Sequence, residues 1–152
     1  MTELRHDLAT VTVARTYPVS PATLFAALSD PVAMAVWASP APTFRVTVAP
    51  HDFREGGVAV ITMDGGDGAL WINEDRYQQI LPDVRIIQTS SLRHKGQVLF
   101  AGVVVMTLMP EGAGTRLQVD EHGCFPDGRD AAAMHEAGWG QVLGQLGTWL
   151  AG

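Results

Sequence analysis

The chain reads as an α+β fold, a curved antiparallel sheet of about seven strands around a long C-terminal helix, with two short helices after the first strand. Three features predict it. β-Branched residues alternate in parity over much of the chain, short turn-rich gaps separate these runs, and the last segment changes to three- and four-residue spacing.

Leu8 to Tyr17 places Val11, Val13 and Tyr17 on one parity and Thr10, Thr12 and Thr16 on the other, a strand pattern. Ser20-Pro21 then supplies an N-cap with Pro at the first helical position, where its missing N–H costs nothing. This predicts a short helix from Pro21 to about Ser29. Asp30-Pro31 repeats the device and starts a second helix ending at Trp37. Pro40 and Pro42 make Ala38 to Thr43 a loop.

Strands are predicted over Phe44 to Val48, Val58 to Met63, Ala69 to Ile80, Val84 to Leu92, Val98 to Met109, and Arg116 to His122. Asp64-Gly65-Gly66-Asp67-Gly68, Leu81-Pro82-Asp83, His94-Lys95-Gly96 and Pro110-Glu111-Gly112-Ala113-Gly114 are turn signals, so the strands should form an antiparallel meander. Over Gly128 to Leu150, Ala132, His135, Trp139, Val142, Leu143, Leu146, Trp149 and Leu150 share one helical face. Glycines at 138, 140, 144 and 147 weaken this helix by up to about 1 kcal/mol each relative to Ala, so packing must hold it. The concave face of the sheet is the large partner available.

At 152 residues the chain has the size of one domain, expected to span 1-152. A net charge of −6 with no Lys/Arg cluster argues against nucleic acid or an anionic membrane as partner. Cys124 is the single cysteine, so no intrachain disulfide forms and a cytoplasmic location is expected. The first residues carry charges at Glu3, Arg5 and Asp7 and lack the apolar run of a signal peptide. Val98 to Met109 is much shorter than the roughly 20 residues of a membrane-spanning helix.

Several strings resemble the START-like (SRPBCC, Bet v 1-like helix-grip) superfamily. The branch is that of the C-terminal domain of heat-shock-protein-90 ATPase activator homologues. The strings are Ser29-Asp30-Pro31 with Trp37 after it, Phe53-Arg54-Glu55-Gly56-Gly57, Arg76 to Ile86, Pro110 to Leu117, and His135-Glu136-Ala137-Gly138-Trp139 leading to Leu143 and Leu146. In order, they cover nearly the whole chain. Relatives commonly carry an aspartate where this chain has Gln79, and the name-giving activators have a separate N-terminal domain for which this chain has no room. The resemblance implies a helix-grip fold with a cavity beneath the long helix.

Hydrophobicity alone does not settle which face of Val98 to Met109 is inward; the resemblance turns Phe100, Gly102, Val104, Met106 and Leu108 toward the helix. Phe100, Met106 and Trp139 would then wall an apolar space. Glu121 shares its parity with Leu117 and Val119, so an inward carboxylate is expected near the strand end. Gln88 is a second polar candidate, and Trp37, Trp71 and Tyr77 suit a pocket mouth. Each of these also has a plain core-packing role.

No cofactor or metal is expected: nucleophile elbow, phosphate loop and His-Glu-x-x-His are missing, and Glu121-His122-Gly123-Cys124, even with His135 near, falls short of a zinc set. The favoured function is binding of a hydrophobic small molecule: a lipid, polyketide or aromatic metabolite. A polyketide cyclase/aromatase-like enzyme with Glu121 as acid or base is the alternative. A chaperone-interaction or homodimerisation module is the third reading, prompted by the apolar odd parity Leu99, Ala101, Val103 and Val105.

Overall fold

The computed structural model describes residues 4–152, so the charge at Glu3 lies outside the described residues. The order is β1 (Asp7–Tyr17), α1 (Pro21–Ser29), α2 (Pro31–Trp37), β2 (Arg45–His51), β3 (Val58–Asp64), β4 (Leu70–Leu81), β5 (Arg85–His94), β6 (Gln97–Glu111), β7 (Gly114–Phe125) and α3 (Ala132–Leu150). The seven strands form one antiparallel sheet in the order β1-β7-β6-β5-β4-β3-β2. Consecutive strands from β2 to β7 are neighbours, and β1, which precedes the two helices, pairs with β7. This is the α+β layout that the chain's periodicities predict and the helix-grip fold that the resemblance implies.

Local chemistry explains the joints. Ser20 Oγ accepts from Thr23 N–H at 3.2 Å, and Asp30 Oδ1 accepts from Val32 N–H at 2.9 Å, each followed by a proline at the first helical position. Trp37 Nε1 donates to Ala27 O at 2.9 Å and locks α2 onto α1. In the β5–β6 turn, Lys95 and Gly96 both take positive φ, 52° and 73°, as a two-residue hairpin requires.

Three sequence expectations are corrected. The long helix begins at Ala132 rather than Gly128, because Gly128 has φ 81° and Asp127 Oδ1 holds Arg129 N–H at 3.0 Å, a turn that cannot be helical. The strand ending the sheet runs on to Phe125, its pairing with β1 unbroken past His122. Leu99 does not share an outer apolar patch with Ala101 and Val103: Leu92 pairs with Phe100 and Arg93 with Val98, leaving Leu99 as the extra residue of a bulge, 3% exposed.

α3 behaves differently along its length. Its C-terminal half is packed: Leu143 and Leu146 are buried, and the Tyr17 hydroxyl donates to Leu143 O at 2.7 Å. Gly144 and Gly147 face Arg15 and Tyr17, where an added Cβ at 147 would lie 3.2 Å from the guanidinium. These glycines let the helix approach β1. Its N-terminal half, from Met134 to Val142, stands over open space instead.

A second glycine pair shapes the sheet beneath. Gly102 on β6 and Gly123 on β7 are register partners, and the Phe100 ring lies over both. A Cβ on Gly123 would sit 2.5 Å from Ala101 O and 2.6 Å from the ring. Gly123→Ala should therefore cost about 1–3 kcal/mol by overpacking. Gly140→Ala, on an open helix surface, should instead raise stability by up to about 1 kcal/mol. Urea unfolding of both variants checks the pair; equal effects would contradict this packing.

Candidate functional site

Between the sheet and the N-terminal half of α3 lies a cavity of about 440 Å³. Trp37, Ile61, Met63, Trp71, Leu92, Phe100, Val104, Met106, Trp139 and Val142 form most of its wall. Exposed Pro40, Met134, Gly138 and Gln141 mark its mouth. The loop side of the mouth is tied to the helix by Gln145 Nε2, which donates to Ser39 O at 2.9 Å.

The sheet brings polar groups to this wall by strand parity. On β7, residues Leu117, Val119 and Glu121 point inward, and Glu121 is 5% exposed. On β4 the inward parity carries Trp71, Asn73 and Asp75 in succession, and β5 contributes Gln88 and Ser90. Asp75 is paired with Ser90, Gln88 with Val104, and Val104 with Glu121, so the polar residues span adjacent strands of one concave face.

At the inner end His135, on the first turns of α3, meets two carboxylates. Its Nδ1 lies 2.5 Å from Glu121 Oε1 and its Nε2 2.5 Å from Asp130 Oδ2. Trp139 Nε1 donates to Glu121 Oε2 at 3.1 Å, so both oxygens of Glu121 are engaged. Asp130 Oδ1 also accepts from Ala131 N–H at 2.9 Å, joining the cluster to the helix start. The imidazole is boxed by aromatic rings, 4.7 Å from Phe100 and 4.9 Å from Phe125 between centroids.

Burial opposes charge on His135, but the hydrogen bonds to Asp130 and Glu121, with the charges of both, overcome it and raise its pKa from 6.5 to about 9. It is an imidazolium at neutral pH. Asp75, 4% exposed, has its pKa pushed up to about 6 by burial, against hydrogen bonds from Ser90 and from Asn73, whose Nδ2 donates to Oδ1 at 2.8 Å.

Of the residues singled out from sequence, Trp37, Trp71, Gln88, Phe100, Met106, Glu121 and Trp139 line the cavity. Tyr77 does not. It shares the inward parity of β4 but lies beyond Asp75, where its ring packs on Phe53 at 4.9 Å and on His51 at 6.4 Å. His122 and Cys124 lie on the parity opposite Glu121, and His122 Nδ1 contacts Thr10 Oγ1 at 2.7 Å, away from His135. Gln79, in the position where relatives commonly have aspartate, accepts from Arg85 Nε and Nη2 at 2.9 and 2.6 Å.

Asp75, Asp130 and the role of His135 went unread in the sequence. For Asp75 the signal was present, a carboxylate on the same parity as Trp71 and Tyr77. Asp130 falls in the segment that periodicity assigned to the helix, which concealed its part in the cluster.

A curved sheet gripping a long helix above a cavity defines the helix-grip class, to which the likeness to solved structures also points. More particularly, the chain belongs to the family described as Activator of Hsp90 ATPase homolog 1-like protein, whose model matches residues 18–151. It is similar to Mll3558 from Rhizobium loti, with 32% identity and a TM-score of 0.84 over 95% of this chain and 98% of that one. CV1439 from Chromobacterium violaceum is 27% identical, with a TM-score of 0.82 over 94% and 97%. DynU16, from the dynemicin biosynthetic locus, shares the fold at 23% identity and a TM-score of 0.66, over 93% of this chain and 47% of its own. No curated protein matches the chain. Among the described residues, no helix is long and apolar enough to cross a membrane.

The raised pKa of His135 has a stability consequence. The folded state holds this proton more tightly than the unfolded chain, so the stabilisation is complete below pH 6.5 and is lost as pH rises through about 9. His135→Gln should be less stable than wild type near the lower pH, with the gap narrowing toward the upper. Urea midpoints across that range check it, and a gap constant with pH would contradict the paired imidazolium.

Proposed function

We propose that the protein binds a small, largely apolar molecule of the lipid, polyketide or aromatic-metabolite kind in the cavity beneath α3. The observation that carries this reading is the cavity itself: about 440 Å³, walled by aromatic, aliphatic and methionine side chains, with polar groups on one part of its floor. Ligand sites commonly span about 300–1,000 Å³ with this mixture of lining. A core that had merely closed on itself would leave no such volume, because interiors pack to the density of organic crystals.

The helix glycine at the mouth provides a test. A Cβ on Gly138 would meet nothing within 4 Å, so a larger side chain there enters open space. Gly138→Phe should leave stability equal or higher by about 0.5 kcal/mol while removing binding of a neutral apolar dye such as Nile red. Dye fluorescence titrations on both proteins check this. Wild type that takes up no dye, or a variant that binds it equally, would count against the reading.

One observation favours a second reading, acid/base catalysis in the same space. Asp75 is buried in the cavity wall with a pKa of about 6, a carboxyl that can hold or release a proton near neutrality. Glu121, the sequence-based candidate, is the poorer choice because both its oxygens are engaged. Asp75→Asn should then abolish turnover even at saturating substrate, which product formation at high substrate concentration checks.

The homodimer reading has less behind it. The outer face near β1 and β7 is polar, with Thr12 Oγ1 donating to Asp120 Oδ1 at 2.8 Å, and its exposed apolar stripe on β6 is reduced to Ala101 and Val103.

A further inference from the structure

We infer that the cavity selects, among apolar molecules, those whose polar group is a protonated amine, received by Asp75 and Gln88, and that it excludes those ending in a carboxylate. This rests on the reading of the cavity as a binding site and names the chemistry of its ligand.

The charge inventory of the wall is one-sided. Asp75, Glu121 and Asp130 line it, and among the described residues no lysine or arginine does. His135 is its cation, and both its nitrogens are occupied by Glu121 and Asp130. An anionic ligand would therefore be desolvated among carboxylates with no free positive partner, a placement that buried charges do not tolerate.

Hydrogen-bonding capacity points the same way. Asp75 Oδ1 accepts from Asn73 and the Ser90 hydroxyl also bonds the carboxylate, whose remaining lone pairs can accept from a ligand donor. Gln88 is 6% exposed, lines the cavity, and its carboxamide makes no hydrogen bond with the described residues. A buried amide left open in this way is a polar group awaiting a partner. Ser90, opposite Asp75 in the register and two residues from Gln88 on the same face, adds a hydroxyl oxygen. An ammonium has three donors and no acceptor, which suits a carboxylate, an amide carbonyl and a hydroxyl together.

The groups facing Asp75 also fix the pH dependence. Glu121 from β7 and Glu74 beside it on β4 are acidic, Asp130 and His135 belong to the α3 end, and His135 keeps its charge to about pH 9. Asp75 itself titrates near 6, so amine affinity should rise as pH increases through that value.

The test uses three probes on one skeleton: 1-naphthylmethylamine, 1-naphthylmethanol and 1-naphthoate, each competing with Nile red on the whole protein. The amine should bind about tenfold more tightly than the alcohol and about 100-fold more tightly than the naphthoate near neutral pH. In Asp75→Asn the amine should fall to within about threefold of the alcohol and lose its pH dependence. Naphthoate binding as tightly as the amine in wild type would overturn the inference and leave the binding site standing. So would an amine preference that survives in Asp75→Asn. If neither the dye nor any probe binds, the binding site itself falls, and the inference with it.

Discussion

An imidazolium with a carboxylate on each nitrogen holds the start of α3 to the end of β7, and the geometry of the cavity follows from that placement. Glu121 comes from the sheet, Asp130 from the turn before the helix, and His135 from the helix itself. Each buried charge would be costly alone. Together they satisfy both ring nitrogens, and Trp139 takes the remaining oxygen of Glu121. The charges thus fix which turn of the helix faces which strand.

Size matters as much as charge. The Phe100 ring lies against Gly102 and Gly123, then meets Phe125 at 5.0 Å and His135 at 4.7 Å between centroids. This stack sets the helix start away from the sheet. At the other end the relation is reversed: Gly144 and Gly147 let α3 come close to Arg15 and Tyr17, and Leu146 is fully buried. A helix held off at one end and pressed down at the other encloses a wedge of space. The core and the cavity are thus two ends of one interface, and the four glycines decide which end is which.

Much of the fold was legible because strand and helix periods survive in the sequence almost unbroken. The parity of β7 placed Glu121 inward, and the helical face of α3 placed His135 and Trp139 on one side. What the pattern did not carry was their meeting, since a hydrogen bond between β7 and α3 depends on where the turn between them ends. The helical spacing runs on across that turn, which hides Asp130. Tyr77 departs from the expected pocket mouth for a related reason: parity fixes a face, not a position along the strand, and the residue lies past Asp75 against the Phe53 loop. The bulge at Leu99 likewise breaks an alternation that a uniformly apolar strand cannot reveal.

The charge state of His135 is the most direct check on this account. Nitrogen-15 NMR of the imidazole reports whether one or both ring nitrogens carry a proton. The account predicts an imidazolium at pH 7.5, titrating near 9, with Glu121→Gln lowering that value. A neutral ring at pH 7.5 would contradict it, because the helix start would then be held by something other than the two carboxylates.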